Sequence, residues 1–190
     1  MLYSSNSIAG TWMTNPIRIL STRRRTAQAG FTVMELLIGI AVLAILTTLA
    51  VPAFNQFIQN NRLAGQANEM VAAFQFARSE ALKRGLNVRA CASDDGASCS
   101  GAWTDGWIVI ADPGGDDEEL LRVWPAPDDG FQITANPSSS YIEFEPTGAS
   151  NGGVEQQFSL MLSGCTNDSA RDVFVERTGR VASERVDCPE

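Results

Sequence analysis

The sequence predicts an α+β protein in which a long N-terminal transmembrane α-helix packs on a β-rich globular head held by two disulfides. Three patterns predict this architecture. A nearly all-apolar, uncharged run covers residues 36–54, close to the roughly 20 residues that a helix needs to cross a bilayer. Apolar residues then recur at helical spacing as far as Ala81. After Gly85, short strand-like segments alternate with turn signals.

The charge is distributed unevenly along the chain. The whole sequence carries 14 basic and 22 acidic residues, a net charge of −8, yet residues 1–30 hold four arginines and no acid. Residues 31–190 therefore carry 10 basic and 22 acidic residues, a net charge of −12. Such an acidic domain is a poor general binder of nucleic acid or anionic membranes. Histidine, the commonest general base and metal ligand, is absent from the sequence.

The residues flanking the apolar run predict its orientation and the state of the cysteines. Arginines at positions 18 and 23–25 precede the run, and positive flanks stay on the cytoplasmic side. The head is therefore exported, and an even number of cysteines in an oxidising compartment indicates disulfides. Four cysteines allow three pairings. The short Cys91–Cys99 loop and the longer Cys165–Cys188 loop are the most economical choice.

The helix is predicted to continue beyond the apolar run, with a bend at Pro52. One apolar stripe follows at spacings of three and four residues, formed by Leu63, Ala67, Met70, Phe74, Ala77 and Ala81. This stripe predicts one face laid on a sheet, and Gly85 is the predicted C-terminal stop. These patterns divide the chain into residues 1–30, a transmembrane helix (31–53), an amphipathic helix half (54–85) and a β-rich head (86–190).

Eight strands are predicted in the head, separated by turns such as Pro113-Gly114-Gly115 and Asp129-Gly130. They cover residues 87–91, 106–111, 120–124, 131–134, 141–144, 157–162, 172–176 and 181–186. Trp103, Trp107 and Trp124 are predicted to be core or rim residues, because no basic residues interleave with them as nucleic-acid stacking would require.

The start of the apolar run has an unusual arrangement. The small residues that mark a cleavage site, including Gly30, precede the run, so that a peptidase cutting there would leave the hydrophobic segment on the mature protein. One carboxylate, Glu35, lies at the head of the run. It either stabilises the N-terminus of the helix or has a specific partner. Cleavage after Gly30 would free the amine of Phe31, one helical turn away.

The stretch "GFTVMELLIGIAVLAILTTLAVPAF" resembles the N-terminus of type IV pilins and type II secretion pseudopilins. The resemblance implies that prepilin peptidase cuts between Gly30 and Phe31 and N-methylates Phe31. It also implies that Glu35 guides docking into the filament and that Pro52 is the proline of the family pattern. The implied partners are other pilins or pseudopilins through the helix, prepilin peptidase, the inner-membrane assembly platform and inner-membrane lipid. The resemblance also implies that residues 1–30 are a prepilin leader and that residues 31–53 form the filament-core helix. A leader of 30 residues is long for this family, so that either Met1 or Met13 is the start.

The head is similar to the GspH/FimT branch of that family. The similarity is carried by "ARSEALKRGLNVRACASDDGASC", by "WTDGWIVIAD" and by the ending "VFVERTGRVAS". Members of this branch are minor subunits, so the resemblance implies a single-pass inner-membrane protein with a periplasmic head that helps prime a filament and sits at its tip. Whether that filament is a type IV pilus or a secretion pseudopilus stays open.

Three other interpretations compete with this one. Some FimT-type subunits bind DNA through a Gly-Arg-x-Arg pattern; Arg177, Arg180 and Arg185 lie in that region, but Ala182 occupies the second arginine position, so DNA binding at a pilus tip is the weaker alternative. The acidic loop at residues 112–119 lacks the ordered spacing of a calcium loop. The calcium loop is the second interpretation, and the third is an anchored periplasmic protein that never polymerises. No metal, cofactor or enzymatic motif is predicted.

Overall fold

The computed structural model describes residues 30–151, 153, 155–165 and 169–188. The predicted leader, with its arginines and the two alternative starts Met1 and Met13, lies outside the described residues. The chain divides into two compact units, Met1–Ala44 and Ile45–Glu190. The second unit contains the head.

The described residues contain one helix followed by eight strands. The helix α1 spans Val33–Arg84. The strands are β1 (Val88–Ala92), β2 (Gly106–Ala111), β3 (Glu119–Pro125), β4 (Phe131–Asn136), β5 (Tyr141–Phe144), β6 (Gln156–Leu162), β7 (Ala170–Val175) and β8 (Val181–Val186). The fold class predicted from the sequence is confirmed, and each predicted strand overlaps one observed strand.

The strands form two antiparallel sheets of four. The first sheet has the order β3-β2-β1-β5 and the second has the order β4-β6-β7-β8. The chain passes from the first sheet to the second after β3, returns for β5, and ends in the second sheet. Antiparallel pairing joins β1 to β2 and β7 to β8, and the long segment between β1 and β2 contributes Trp103 to the core.

One hydrophobic core joins the amphipathic part of α1 to the inner faces of both sheets. The predicted stripe is confirmed, because all six of its residues are buried: Leu63, Ala67, Met70, Phe74, Ala77 and Ala81. Phe74 lies at its centre, with its ring 4.9 Å from that of Phe158 and 5.8 Å from that of Trp103. The core placement predicted for Trp103, Trp107 and Trp124 is also confirmed.

The ends of α1 have clear local causes. Thr32 precedes the helix, and its hydroxyl accepts a hydrogen bond from the backbone N–H of Glu35 at 3.1 Å, which satisfies one of the free donors of a helix N-terminus. Gly85 has φ of 69°, and its N–H donates to the carbonyl of Ala81 at 2.9 Å. The left-handed conformation at Gly85 ends the helix as predicted. Pro52 lies inside α1, and the bend expected there stays a prediction.

Candidate functional site

The first turns of α1 carry the residues that the sequence marks for processing and docking. Gly30 and Phe31 precede the helix, and Phe31 is 86% exposed. Glu35 lies in the first turn of α1 and is exposed. The hydrogen bond from Glu35 to Thr32 uses the backbone of Glu35, so it does not occupy the carboxylate. Both the predicted cleavage point and the carboxylate are therefore exposed.

Gly39 follows Glu35 by one helical turn and leaves a gap in the apolar surface. A side chain added at Gly39 would meet no atom within 4 Å. The gap belongs to a concavity lined by Phe31, Glu35, Leu36, Gly39, Ile40 and Leu43. Because its walls are apolar except for one carboxylate, the concavity suits an apolar neighbour that brings a positive charge to Glu35. The sequence interpretation missed Gly39, although its spacing from Glu35 contained the signal.

Large apolar side chains are exposed along the whole first part of α1. They include Phe31, Val33, Leu36, Leu37, Ile40, Leu43, Leu46, Leu49, Val51, Phe54 and Phe57, each more than half exposed. The helix is long and apolar enough to cross a membrane, and its most apolar window is not buried in the structure. Monomeric proteins rarely expose so large a continuous apolar surface to water. This stretch therefore requires lipid or protein around it.

Arg78 connects α1 to a loop from each sheet. Its Nε donates to the carbonyl of Gly148 at 2.9 Å, and its Nη2 donates to the carbonyl of Thr178 at 3.1 Å. The Gly148 and Thr178 loops meet so closely that a side chain on Gly179 would overlap the Gly148 carbonyl oxygen. Arg78 thus gives the Ala-Arg-Ser-Glu-Ala stretch and the Thr-Gly-Arg turn a shared structural role. The sequence interpretation did not identify this contact.

The two disulfides have the pairing that the sequence favoured for its short loops. Cys91 bonds to Cys99, and Cys165 bonds to Cys188. Inside the first loop, Asp95 accepts hydrogen bonds from the backbone and hydroxyl of Ser98, from the backbone of Ala97 and from the hydroxyl of Ser93. These bonds, those from Ser98 first, hold the pKa of Asp95 well below the usual aspartate value. The loop is therefore organised around an ionised carboxylate.

A half-buried ion pair, also missed in the sequence, fixes the outside of the first sheet. The guanidinium of Arg89 donates to one oxygen of Glu143 at 2.7 and 2.9 Å. The amides of Asn87 and Asn151 donate to the other oxygen. Each oxygen of the buried Glu143 carboxylate thus has two donors. The network is complete without a ligand, and its role is structural.

The three arginines proposed for DNA contact do not converge on one surface. Arg177 is exposed in the turn before β8. Arg180 pairs with Glu176 at 3.3 Å and shares a depression with Glu155 and Glu184. Arg185 lies on the opposite side of β8 from Glu184, since neighbouring strand residues face opposite ways. The described residues contain no group of three or more His, Cys, Asp or Glu residues placed to hold a metal ion.

Two family models match the sequence. The model of the type II transport protein GspH matches residues 66–179, and the model of the prokaryotic N-terminal methylation motif matches residues 25–51. The first covers α1 from Gln66 onward and most of the head, and the second covers the predicted cleavage point and the start of α1. No match is found among curated proteins.

The chain matches solved structures of a minor pilin and of a minor pseudopilin. The type IV minor pilin FimU of Pseudomonas aeruginosa matches with 22% identity and a TM-score of 0.55, over 67% of this chain and 92% of that chain. A second crystal form of FimU gives 22% identity and a TM-score of 0.53, over 64% and 92%. The minor pseudopilin EpsH of the Vibrio cholerae type 2 secretion system has 11% identity and a TM-score of 0.49, over 65% and 97%. The likeness to FimU shows a shared fold.

Proposed function

The chain belongs to the GspH family of type II transport proteins, and we propose that it works as a minor subunit of a type IV pilus or of a type II secretion pseudopilus. In this proposal, prepilin peptidase cuts between Gly30 and Phe31 and methylates the new amine of Phe31. Before assembly, the processed subunit stays anchored in the inner membrane with its head in the periplasm. The assembly platform then incorporates it into the filament, at or near the tip.

The observation that carries the proposal is the exposed apolar surface of α1. From Phe31 to Phe57 the large apolar side chains have no cover within the described chain. Burial of such surface is worth about 25 cal/mol for each Å² removed from water. Lipid provides the cover before assembly, and the helices of other subunits provide it afterwards. An anchor that never assembled would need the lipid alone, and would have no use for a cleavage point placed before its apolar run.

Glu35 gives the packing a specific register. An ionised carboxylate inside a helix bundle in the membrane is unfavourable unless a cation accompanies it. The amine of a processed Phe31 on an adjacent subunit supplies that cation, and the gap at Gly39 gives it room to approach. Because the free amine of Phe31 exists only after cleavage, only processed subunits can form this ion pair with Glu35. Glu35 is therefore proposed as a docking residue, and no catalytic role is proposed for any residue of the chain.

The test is intact mass measurement with N-terminal sequencing of the protein purified from membranes. We expect an N-methylated Phe31 terminus and a mass four hydrogens below that of the reduced, methylated chain, which corresponds to two disulfides. An uncut terminus, or a cut beyond Ala53, would contradict the proposed function. Substituting Gly30→Ser provides the control, because it alters the predicted cleavage point without changing the apolar helix.

DNA binding at a pilus tip is the alternative function. Against it stand the net charge of −12 for residues 31–190 and the ion pair that engages Arg180. Phosphate contacts depend on accumulated positive charge and weaken steeply with salt. A salt titration of binding between the full chain and duplex DNA tests this alternative. Binding that strengthens as salt is lowered and is lost in Arg177→Ala and Arg185→Ala variants would favour it.

A further inference from the structure

The outer face of the second sheet is acidic and carries a buried carboxylate oxygen that has no hydrogen-bond partner within the described part of the chain. Along β6 and β7 the core side is formed by residues such as Phe158 and Val173, so that Ser159 and Asp172 face outward. On the neighbouring strand Glu184 lies directly opposite Asp172. We call this surface the acidic face and define it by its five carboxylates: Glu155, Asp172, Glu176, Glu184 and Asp187.

Two neighbouring depressions form this surface. One has a volume of about 340 Å³ and lies between Phe174, Ala182 and the acids Glu155, Glu176 and Glu184. The other has a volume of about 240 Å³ and is lined by Met161, Ala170, Val186, Asp172 and Asp187, among others. Both depressions therefore combine apolar with acidic side chains, and the polar residues Gln157 and Ser159 complete the lining of the smaller one. The one basic residue among their lining residues, Arg180, is paired with Glu176.

Asp172 provides the independent sign of a ligand. The residue is only 6% exposed and lines the smaller depression. Its Oδ2 accepts a hydrogen bond from Gln157 at 2.6 Å, whereas its Oδ1 is buried without any hydrogen-bond partner among the described residues. A buried acceptor without a donor costs free energy, and more so on a charged group. A donor brought by a partner molecule would remove that cost.

We propose that the acidic face docks a basic, partly apolar segment of another subunit of the filament, with one lysine or arginine placed against Asp172. This inference rests on the proposed function, which supplies the partner class. The four carboxylates left after the Arg180–Glu176 pair select a cationic partner and disfavour a second copy of this acidic chain. The apolar side chains that line the two depressions, among them Phe174 and Met161, favour a polypeptide segment over an inorganic cation, and no metal-binding group of acids occurs in the described residues.

The experiment uses the full chain in its native membranes, with the photo-crosslinking residue p-benzoylphenylalanine at Ala182 on the acidic face. The control position is Val123, which is 45% exposed on the first sheet. We expect Ala182 alone to crosslink to another pilin-class subunit. Mass spectrometry should place the crosslink in a segment that contains lysine or arginine.

Charge variants then test the chemistry. Asp172→Asn combined with Glu184→Gln should lower the crosslinking yield about tenfold, as expected for loss of a charged hydrogen bond. Glu184→Gln alone changes only an exposed residue and should lower the yield about twofold, which keeps the test valid if Asp172→Asn unfolds the head. The matched control, Asp116→Asn with Asp117→Asn, removes the same two negative charges from a loop outside the acidic face and should leave the crosslinking yield unchanged.

Several results would overturn the inference. They are a crosslinked segment without basic residues, crosslinks to lipid or nucleic acid alone, or a yield that the acidic-face variants leave at the wild-type level. The terminus of the same protein is sequenced in parallel. A processed Phe31 with no crosslink from Ala182 would refute the docking surface and leave the proposed function standing, whereas an uncut terminus would refute the proposed function itself.

Discussion

Two stretches of the same helix differ in what surrounds them. Phe57 is 64% exposed, whereas Phe74, seventeen positions further along α1, is fully buried. Both are phenylalanines in regular helix, so neither helix propensity nor side-chain chemistry explains the difference. Its cause is the pattern: as far as Phe54 the helix is apolar on all sides and Phe57 follows that run among polar residues, whereas from Leu63 onward one apolar stripe faces the sheets. An amphipathic helix finds its cover inside its own chain, and a uniformly apolar helix must find it outside.

The largest effect should come from replacing a buried ring in the second stretch. Phe74→Ala removes the side chain that touches Phe158 and Trp103 and leaves a cavity in the core. We expect the free energy of unfolding of the head to fall by about 3–5 kcal/mol. Denaturant unfolding of the full chain in detergent, followed by tryptophan fluorescence, measures the loss.

The matched substitution Phe57→Ala sharpens the comparison. It removes the same atoms from an exposed position of the first stretch, so the free energy of unfolding should change by less than about 0.5 kcal/mol. Incorporation into the filament should fall instead, because a contact surface is lost. Equal destabilisation by the two substitutions would contradict the division of α1 into stretches covered from inside and from outside the chain.

A change at the head of the first stretch should be nearly as large but visible only in assembly. Glu35→Ala removes the carboxylate that we propose guides docking, and we expect incorporation into the filament to fall about thirtyfold, as for a lost charged hydrogen bond. Membrane insertion, cleavage at Gly30 and formation of both disulfides should be preserved. Quantitative immunoblots of sheared filaments and of membranes separate these outcomes. Normal incorporation of the Glu35→Ala subunit would refute the docking role.

Prediction from sequence succeeded where structure depends on local pattern. The buried stripe of α1 and all eight strands follow from spacing and turn residues, and strand limits differ by no more than two residues at either end. It failed where a contact joins distant residues. Arg78 contacts carbonyls 70 and 100 positions away, and Glu143 pairs with Arg89 across 54 positions. Spacing along the chain contains no signal for such pairs, because the fold alone brings them together.

Candidate residues divide in the same way. The resemblance marked Gly30, Phe31 and Glu35, because their motif is contiguous in sequence. It did not mark Asp172, whose neighbours Gln157 and Glu184 come from separate strands. The arginines 177, 180 and 185 are close in sequence, yet strand alternation sends Arg185 to the other side of the sheet from Glu184. Their proximity in sequence therefore suggested a single shared surface that the fold does not form.

Arg78 tests whether the second stretch is held by more than apolar burial. Arg78→Ala leaves the carbonyls of Gly148 and Thr178 without their donor, and we expect the head to lose about 1–2 kcal/mol of unfolding free energy. Arg78→Lys should recover part of it, because one ammonium cannot reproduce the geometry of a guanidinium. Thermal unfolding of the three proteins gives the order. Equal stability of all three would show that the core alone fixes the helix on the sheets.

The smallest effect should come from Asp95, which lies outside α1. The fold lowers the pKa of this carboxyl from its ordinary value of 3.8 through the hydrogen bonds in the disulfide loop. Its folded pKa lies below the unfolded value, so its contribution to stability is present above about pH 4 and is lost as the pH falls below that value. Asp95→Asn should therefore destabilise slightly at pH 7, and its difference from wild type should shrink toward pH 2. Ser98→Ala, which removes one hydrogen-bond donor and keeps the carboxylate, should lower the stability in the same direction but by less.

Amide hydrogen exchange should become faster at residues 96–98 in both variants and stay unchanged around Phe74, because the loop is organised by its own polar contacts. Faster exchange around Phe74 would mean that the loop and the buried stretch of α1 unfold together, and the contrast between the two stretches would then extend to the whole head.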